Sequence, residues 1–227
     1  MKRIVDYFSK FELFLWSFSV ITILAVFFLF EKTDIYTTVA SLIGVTSIIL
    51  NAKGNPLGQA LMVVFGVYYG VISYFCAYYG EMITYVGMTA PMAVLALVSW
   101  LKNPYKGNKA EVEVNSIRPV EVVFMLVLTA AVTAVFYYIL KFLGTANLIP
   151  STVSVTTSFI AVYLTFRRSA WFSLAYAAND LVLIVLWSLA AAVDLSYLSV
   201  IICFVMFLIN DVYAFINWQR IKKRQKE

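Results

Sequence analysis

Eight apolar stretches follow one another with almost nothing between them, each near the roughly 20 residues that a helix needs to cross a bilayer. They fall at residues 13–30, 35–50, 57–79, 82–101, 120–143, 149–166, 170–193 and 195–218. In lipid, each backbone N–H and C=O must find its partner within the protein, so runs of this length are expected as helices. The composition agrees. Of 227 residues, 63% are hydrophobic and 13% charged, where a water-soluble domain carries about 25% charged residues. Too little polar surface remains to coat a globule in water. The expected fold is an all-α membrane protein with eight transmembrane helices, forming a single transmembrane domain over 1–227. Only residues 102–119 make a sizeable connection, with Asn103-Pro104 and Gly107-Asn108 as turn signals. The first stretch follows Lys2, Arg3 and Lys10 as a signal sequence would. It has no small-residue cleavage site and runs straight into further spans, so it is expected to be retained.

The charges give an orientation. With eight spans and both termini in the cytoplasm, all 17 Lys and Arg residues except Lys32 and Lys141 lie on the cytoplasmic side. Positive charge resists translocation, so this alternation predicts both ends inside. The net charge of +5 sits at the ends of apolar segments rather than on one face of a domain, which excludes nucleic acid as a partner. Both cysteines, Cys76 and Cys203, stand in apolar runs and read as small packing residues. Histidine is absent. With no Cys cluster and no GxSxG, metal sites and hydrolytic triads have no material, so no cofactor, metal or catalytic residue is expected.

A repeat is visible in the layout. The stretches within 35–101 and those within 149–218 each form a triplet. Each triplet has a short loop on the basic side (51–56 and 167–169) and then an outer turn (Gly80-Glu81 and Asp194). Each ends in a tryptophan near the inner face, Trp100 or Trp218. The stretch 120–143 links them and 13–30 is an addition. This predicts a parallel 3+1+3 repeat of the SWEET-like kind, with a substrate held between the repeats near mid-membrane.

Ionisable and amide groups inside a span are costly unless they face protein or a water-filled cavity. Asn179-Asp180 and Asn210-Asp211 are such pairs. At about 1.5 Å per residue, Asn179 lies about 13 Å from Ala170, and Asn210 about 12 Å from Trp218. The two pairs are therefore expected at one level. Ser154, Thr156, Thr157 and Ser158 add polarity there, with Thr157 at the same depth. Tyr176, Asn179, Asp180, Leu183 and Trp187 form one helical stripe, and Asn210, Tyr213 and Asn217 another. Gln59 opens its span close to the inner surface. The expected substrate-binding residues are Gln59, Thr157, Tyr176, Asn179, Asp180, Trp187, Asn210, Asp211 and Tyr213. Amides and carboxylates would bind hydroxyls, and aromatic faces a flat ring or a cation. The competing reading is glue between helices, worth about 0.6 kcal/mol per contact. Trp16, Tyr78, Tyr79 and Trp218 read as interfacial belt residues.

These residues carry a resemblance. The 3+1+3 layout, the stretch from Trp171 to Asn179-Asp180, and the ending from Asn210-Asp211 through Tyr213 and Asn217-Trp218 to Gln219-Arg220 resemble the PnuC family of bacterial vitamin transporters. It extends from about Ile35 onward, and the added first helix also occurs in that family. Where many members have a Gly-rich segment before the tryptophan, this chain has Tyr213-Ala214-Phe215. The resemblance implies nicotinamide riboside as substrate, facilitated diffusion without ion coupling, and a homotrimer in the bacterial inner membrane. It also implies a cytoplasmic kinase that traps the product. Thiamine, deoxynucleosides or, for a SWEET-like carrier, sugars are the alternative solutes. A membrane-embedded enzyme would need an acid–base constellation that two aspartates without histidine do not make. No Lys or Arg stands at the polar level to receive a phosphate, which favours the riboside over its mononucleotide.

The charge distribution generates a topology test. Single cysteines at Asn108 and Asn147, in a background lacking Cys76 and Cys203, would be treated with an impermeant thiol reagent in intact cells. Position 147 is expected to react and position 108 to stay protected; labelling of 108 from outside would refute the eight-span orientation.

Overall fold

The computed structural model describes residues 7–29, 35–75 and 79–227. Among them, eight helices are long and apolar enough to cross a membrane. They are α1 (Lys10–Leu29), α2 (Ile35–Ala52), α3 (Pro56–Phe75), α4 (Tyr79–Lys102), α5 (Pro119–Phe142), α6 (Leu148–Phe166), α7 (Phe172–Ala191) and α8 (Leu198–Lys226). The chain is a helical membrane protein. The helices match the expected stretches to within a few residues, except that α8 runs past Trp218 to Lys226. Lys223, Arg224 and Lys226 occupy its last turn, where positive charge complements the helix dipole. Residues named from the sequence that lie outside the described ones are Lys2, Arg3, Lys32, Cys76 and Tyr78.

Helix α1 begins with a capping box. Ser9 N–H donates to Glu12 Oε2 (2.6 Å), and Glu12 N–H donates to Ser9 Oγ (3.2 Å). α1 packs on α2 and α8, whereas α5 packs chiefly on α6 and stays at the periphery. The valines Val120, Val122, Val123 and Val127 of α5 face outward, as a lipid-facing helix requires.

One wide turn interrupts α4. Residues Tyr85–Thr89 form a π-helix, in which Ala90 N–H donates to Tyr85 C=O. Pro91 follows it, and proline has no N–H for the carbonyl four residues back and a ring that crowds it. A π turn absorbs that misfit. Gly66 and Gly70 of α3 lie against this region; a Cβ on Gly66 would come within 3.1 Å of Ala90, and one on Gly70 within 2.3 Å of Val86. Glycines four residues apart let the two backbones approach closely.

A small hairpin lies in the 102–119 connection, an addition to the expected all-helical plan. Strands β1 (Pro104–Tyr105) and β2 (Asn108–Val112) pair antiparallel, turning through Lys106 and Gly107, both at positive φ. The hairpin segment ties down two helix-to-helix loops. Val112 N–H donates to Gly54 C=O (2.9 Å) between α2 and α3, and Asn115 N–H to Arg168 C=O (3.0 Å) between α6 and α7. Those loops share a hydrogen-bond pattern. Asn55 N–H reaches Leu50 C=O and Gly54 N–H reaches Asn51 C=O; Ser169 N–H reaches Leu164 C=O and Arg168 N–H reaches Thr165 C=O. Gly54 and Arg168 both adopt positive φ, 69° and 55°. The ends of the described chain gather here as well. Tyr7 donates to Ala110 C=O (3.3 Å), and Val114 N–H donates to Gln225 Oε1 (2.7 Å).

Just beneath these loops sits an aromatic cluster of Trp100, Phe172 and Trp218, each 1% exposed or less. Trp218 lies 5.4 Å from Trp100 and 4.8 Å from Phe172, ring centre to ring centre. Trp100 Nε1–H donates to Thr165 C=O at the end of α6 (2.9 Å), and Trp218 Nε1–H to Asn51 C=O at the end of α2 (2.7 Å). Trp218 was expected in an interfacial belt, and that expectation is corrected: its ring is buried where α2, α7 and α8 converge. Trp218→Phe keeps an aromatic ring but removes the indole donor from the Asn51 carbonyl, which retains the Gly54 N–H, at an expected cost of about 0.5–1.5 kcal/mol. Trp218→Ala adds a cavity, for about 3–5 kcal/mol. Melting temperatures in detergent should fall in that order, and unchanged melting of both would contradict this role.

Candidate functional site

A cavity of about 410 Å³ lies between the helices. It reaches from Thr145, Ala146 and Asn147 in the α5–α6 connection down to Asn51 and Phe172, against the aromatic cluster. Aromatic side chains make much of its wall: Phe65 and Tyr69 of α3, Tyr85 of α4, Tyr176 and Trp187 of α7, and Phe207 of α8. Its ionisable carboxyl groups are Glu81, Asp180 and Asp211; no Lys or Arg lines it among the described residues.

Asn179 is the best-anchored polar group on this wall. Its Oδ1 accepts hydrogen bonds from Ser158 (2.9 Å), Thr157 (2.8 Å) and Ser154 (3.3 Å), all of α6. The sequence reason is the run of small hydroxyl residues one turn apart on α6, which present donors along a single face. With its oxygen taken three times, the Asn179 amide has only its N–H groups to offer the cavity. Asn179 therefore acts as a donor held in a fixed orientation. Next to it, Asp180 of α7 and Asp211 of α8 are each 4% exposed and both face the cavity. Asp180 Oδ2 is buried without a hydrogen-bond partner. An acceptor in that position gains from any donor that a solute brings. Trp187 stands on the same wall, its ring 5.2 Å from that of Tyr197.

Of the nine residues expected at the site, Tyr176, Asn179, Asp180, Trp187 and Asp211 line the cavity. The other four stand elsewhere, and each has a physical reason. Asn210 points to α1, donating to Ser19 Oγ (2.8 Å) and to Met206 C=O (2.8 Å). Adjacent helical residues project about 100° apart, and on α8 that turn carries Asn210 to α1 while Asp211 faces the cavity. Tyr213 also turns to α1, its hydroxyl donating to Glu12 Oε1 (2.8 Å). Thr157 acts behind the wall by fixing Asn179. Gln59 is 2% exposed and donates to Asn51 Oδ1 (2.8 Å), so it positions the wall residue Asn51 rather than facing the cavity.

Sequence reasoning passed over Glu81 and Tyr85. Gly80-Glu81 reads as an outer turn, but α4 already starts at Tyr79, so Glu81 sits inside the helix and on the cavity wall. The only sequence signal was a lone carboxylate beside a long apolar run.

Comparison with known proteins places the geometry in context. The family described as "Nicotinamide mononucleotide transporter" matches residues 34–220. The nicotinamide riboside transporter PnuC of Neisseria mucosa is 27% identical over 213 residues, covering 92% of this chain and 81% of that protein. The crystal structure of the vitamin B3 transporter PnuC superposes with a TM-score of 0.79 at 25% identity, over 96% of this chain and 94% of that one.

Proposed function

The chain belongs to the nicotinamide mononucleotide transporter family, or PnuC family, and from that premise we propose that it carries nicotinamide riboside across the bacterial inner membrane by facilitated diffusion. It is a membrane transporter rather than an enzyme.

The observation that carries the substrate assignment is the cavity's charge. Its wall holds Glu81, Asp180 and Asp211 and, among the described residues, no basic side chain. A phosphate brings up to two negative charges and is normally met by Arg or Lys. This wall would repel it. The riboside has a positively charged pyridinium and neutral ribose hydroxyls, which suit aromatic faces, carboxylates and the Asn179 amide. This favours the riboside named for the relative over the mononucleotide in the family's description. Thiamine, deoxynucleosides and sugars are the alternatives, and a sugar would leave the acidic wall unexplained.

The parallel 3+1+3 repeat belongs to the same reading, with 13–30 as the added helix, 35–101 and 149–218 as the repeats and 120–143 as the linker in one transmembrane domain. The matching turns at Gly54 and Arg168 support it, as do the indole bonds that run from each triplet's last helix to the other's first. The basic end, where Tyr7, the hairpin and Gln225 meet, is assigned to the cytoplasm by its charge. Assembly as a homotrimer rests on the family resemblance.

Two experiments test the reading. Asn179→Ala is expected to weaken riboside binding by about 1–3 kcal/mol in calorimetric titration. Asn210→Ala should leave the affinity unchanged and lower the melting temperature. The reverse pattern would return the site to α8 and α1. In proteoliposomes, an inside-negative potassium–valinomycin potential should concentrate the cation roughly 50-fold per 100 mV, since each charge gains about 2.3 kcal/mol. A pH gradient at zero potential should give only equilibration. Accumulation driven by the pH gradient would replace uniport by proton coupling through Asp180 and Asp211.

A further inference from the structure

Nothing about transport at the Asn179 level explains why a carboxylate stands at the opposite end of the same cavity. Glu81 lies in the first turn of α4, at the end of the wall lined by Thr145 and Asn147. It is partly accessible and lines the cavity. Among the described residues, no Lys or Arg accompanies it on that wall. An acidic side chain near a membrane span with no basic partner is costly to retain for structure alone.

Its surroundings are those of a cation site. The Tyr69 side chain hydrogen-bonds the Glu81 carboxylate. The rings of Tyr69 and Tyr85 lie 4.6 Å apart, and Phe65 stands 5.7 Å from Tyr69 and 5.8 Å from Tyr85. Tyr69, Glu81 and Tyr85 all face the cavity. Tyr85 opens the π turn of α4 and also lies within electrostatic reach of Asp180. A carboxylate beside aromatic faces is the combination that holds a flat organic cation, through charge and through the ring quadrupole together.

We propose that Glu81, with the Tyr69 and Tyr85 rings, forms a second, outer binding position that admits a solute according to its positive charge before the solute reaches Asn179. The position takes an aromatic or quaternary cation. It rests on the proposed riboside function and adds to it a selectivity step at a distinct place. Charge is read at Glu81, while hydrogen-bonding groups are read at Asn179. The π turn sets Tyr85 between the two levels, so a ring leaving Glu81 meets an aromatic face on its way down.

The test compares two solutes of nearly the same shape, nicotinamide riboside and its reduced, uncharged dihydro form, on Glu81→Gln, Glu81→Asp and the unsubstituted protein. Initial uptake into proteoliposomes at low concentration and calorimetric affinity are both read. Glu81→Gln should lower capture of the cation about tenfold and leave the neutral form within about twofold, with Glu81→Asp retaining most of the discrimination. Equal losses for both solutes, or no loss for the cation, would overturn the charge-reading role and leave the riboside assignment standing. Failure of the unsubstituted protein to take up or bind the cation would sink that assignment, and this position with it. Should Glu81→Gln not fold, Tyr85→Leu decides in its place. Removing that ring should also cost the cation several-fold more than the neutral form, and equal effects on both would reject the proposal.

Discussion

Two indole N–H groups cross between helices, from α4 to α6 and from α8 to α2, and much else is arranged around them. A helix leaves its last carbonyls without intrahelical donors, and within a membrane protein such carbonyls need partners. The Thr165 carbonyl of α6 takes one donor from Arg168 N–H and a second from the Trp100 indole. The Asn51 carbonyl of α2 takes one from Gly54 N–H and a second from Trp218. To deliver those donors, both rings must be buried against each other and against Phe172. The result is a dense plug at one end of the helices. The cavity occupies the space beyond it, and the polar wall of α7 and α8 starts where the plug ends.

The spans were legible in the sequence because hydrophobic length and the placement of positive charge are independent signals that agreed. The faces were legible only in part. Asn179 and Asp180 belong to a stripe that reaches the cavity, and the hydroxyl run of α6 correctly marked their neighbour. On α8 the same logic placed Asn210 and Tyr213 with Asp211. A helix inside a bundle has more than one buried face, and α1 occupies the second one. Polarity reveals that a residue is sheltered, but it does not say by which neighbour. Glu81 shows the converse problem. Its charge and the preceding glycine imitate a surface turn, and only the three-dimensional position of α4 turns it inward.

Helix α1 is fastened by polar contacts as well as by the packing of Leu15, Ile23 and Val26. Glu12, 2% exposed, holds Lys53 Nζ at 3.2 Å and the Tyr213 hydroxyl. Deeper in the membrane, Ser19 meets Asn210, and Trp16 Nε1–H donates to Thr46 Oγ1 at 3.1 Å. Lipid tails are as apolar as leucine, so greasy surfaces alone do not choose a partner helix there. These bonds specify where α1 docks. They account for polar residues that would otherwise be taken for solute contacts.

The hairpin segment gives the bundle a mechanical character. By bonding to Gly54 and to Arg168, it staples two loops whose helices lead away on either side of the cavity. Loops pinned together at one end do not part there, so any relative displacement of their helices grows with distance from the staple. Along a 20-residue helix such as α7, about 30 Å long, a tilt of about 5° moves the far end by roughly 2.5 Å. That is close to the width of a water molecule. In geometry this is a pair of tweezers: a small rotation at the joined end would open an aperture at the tips.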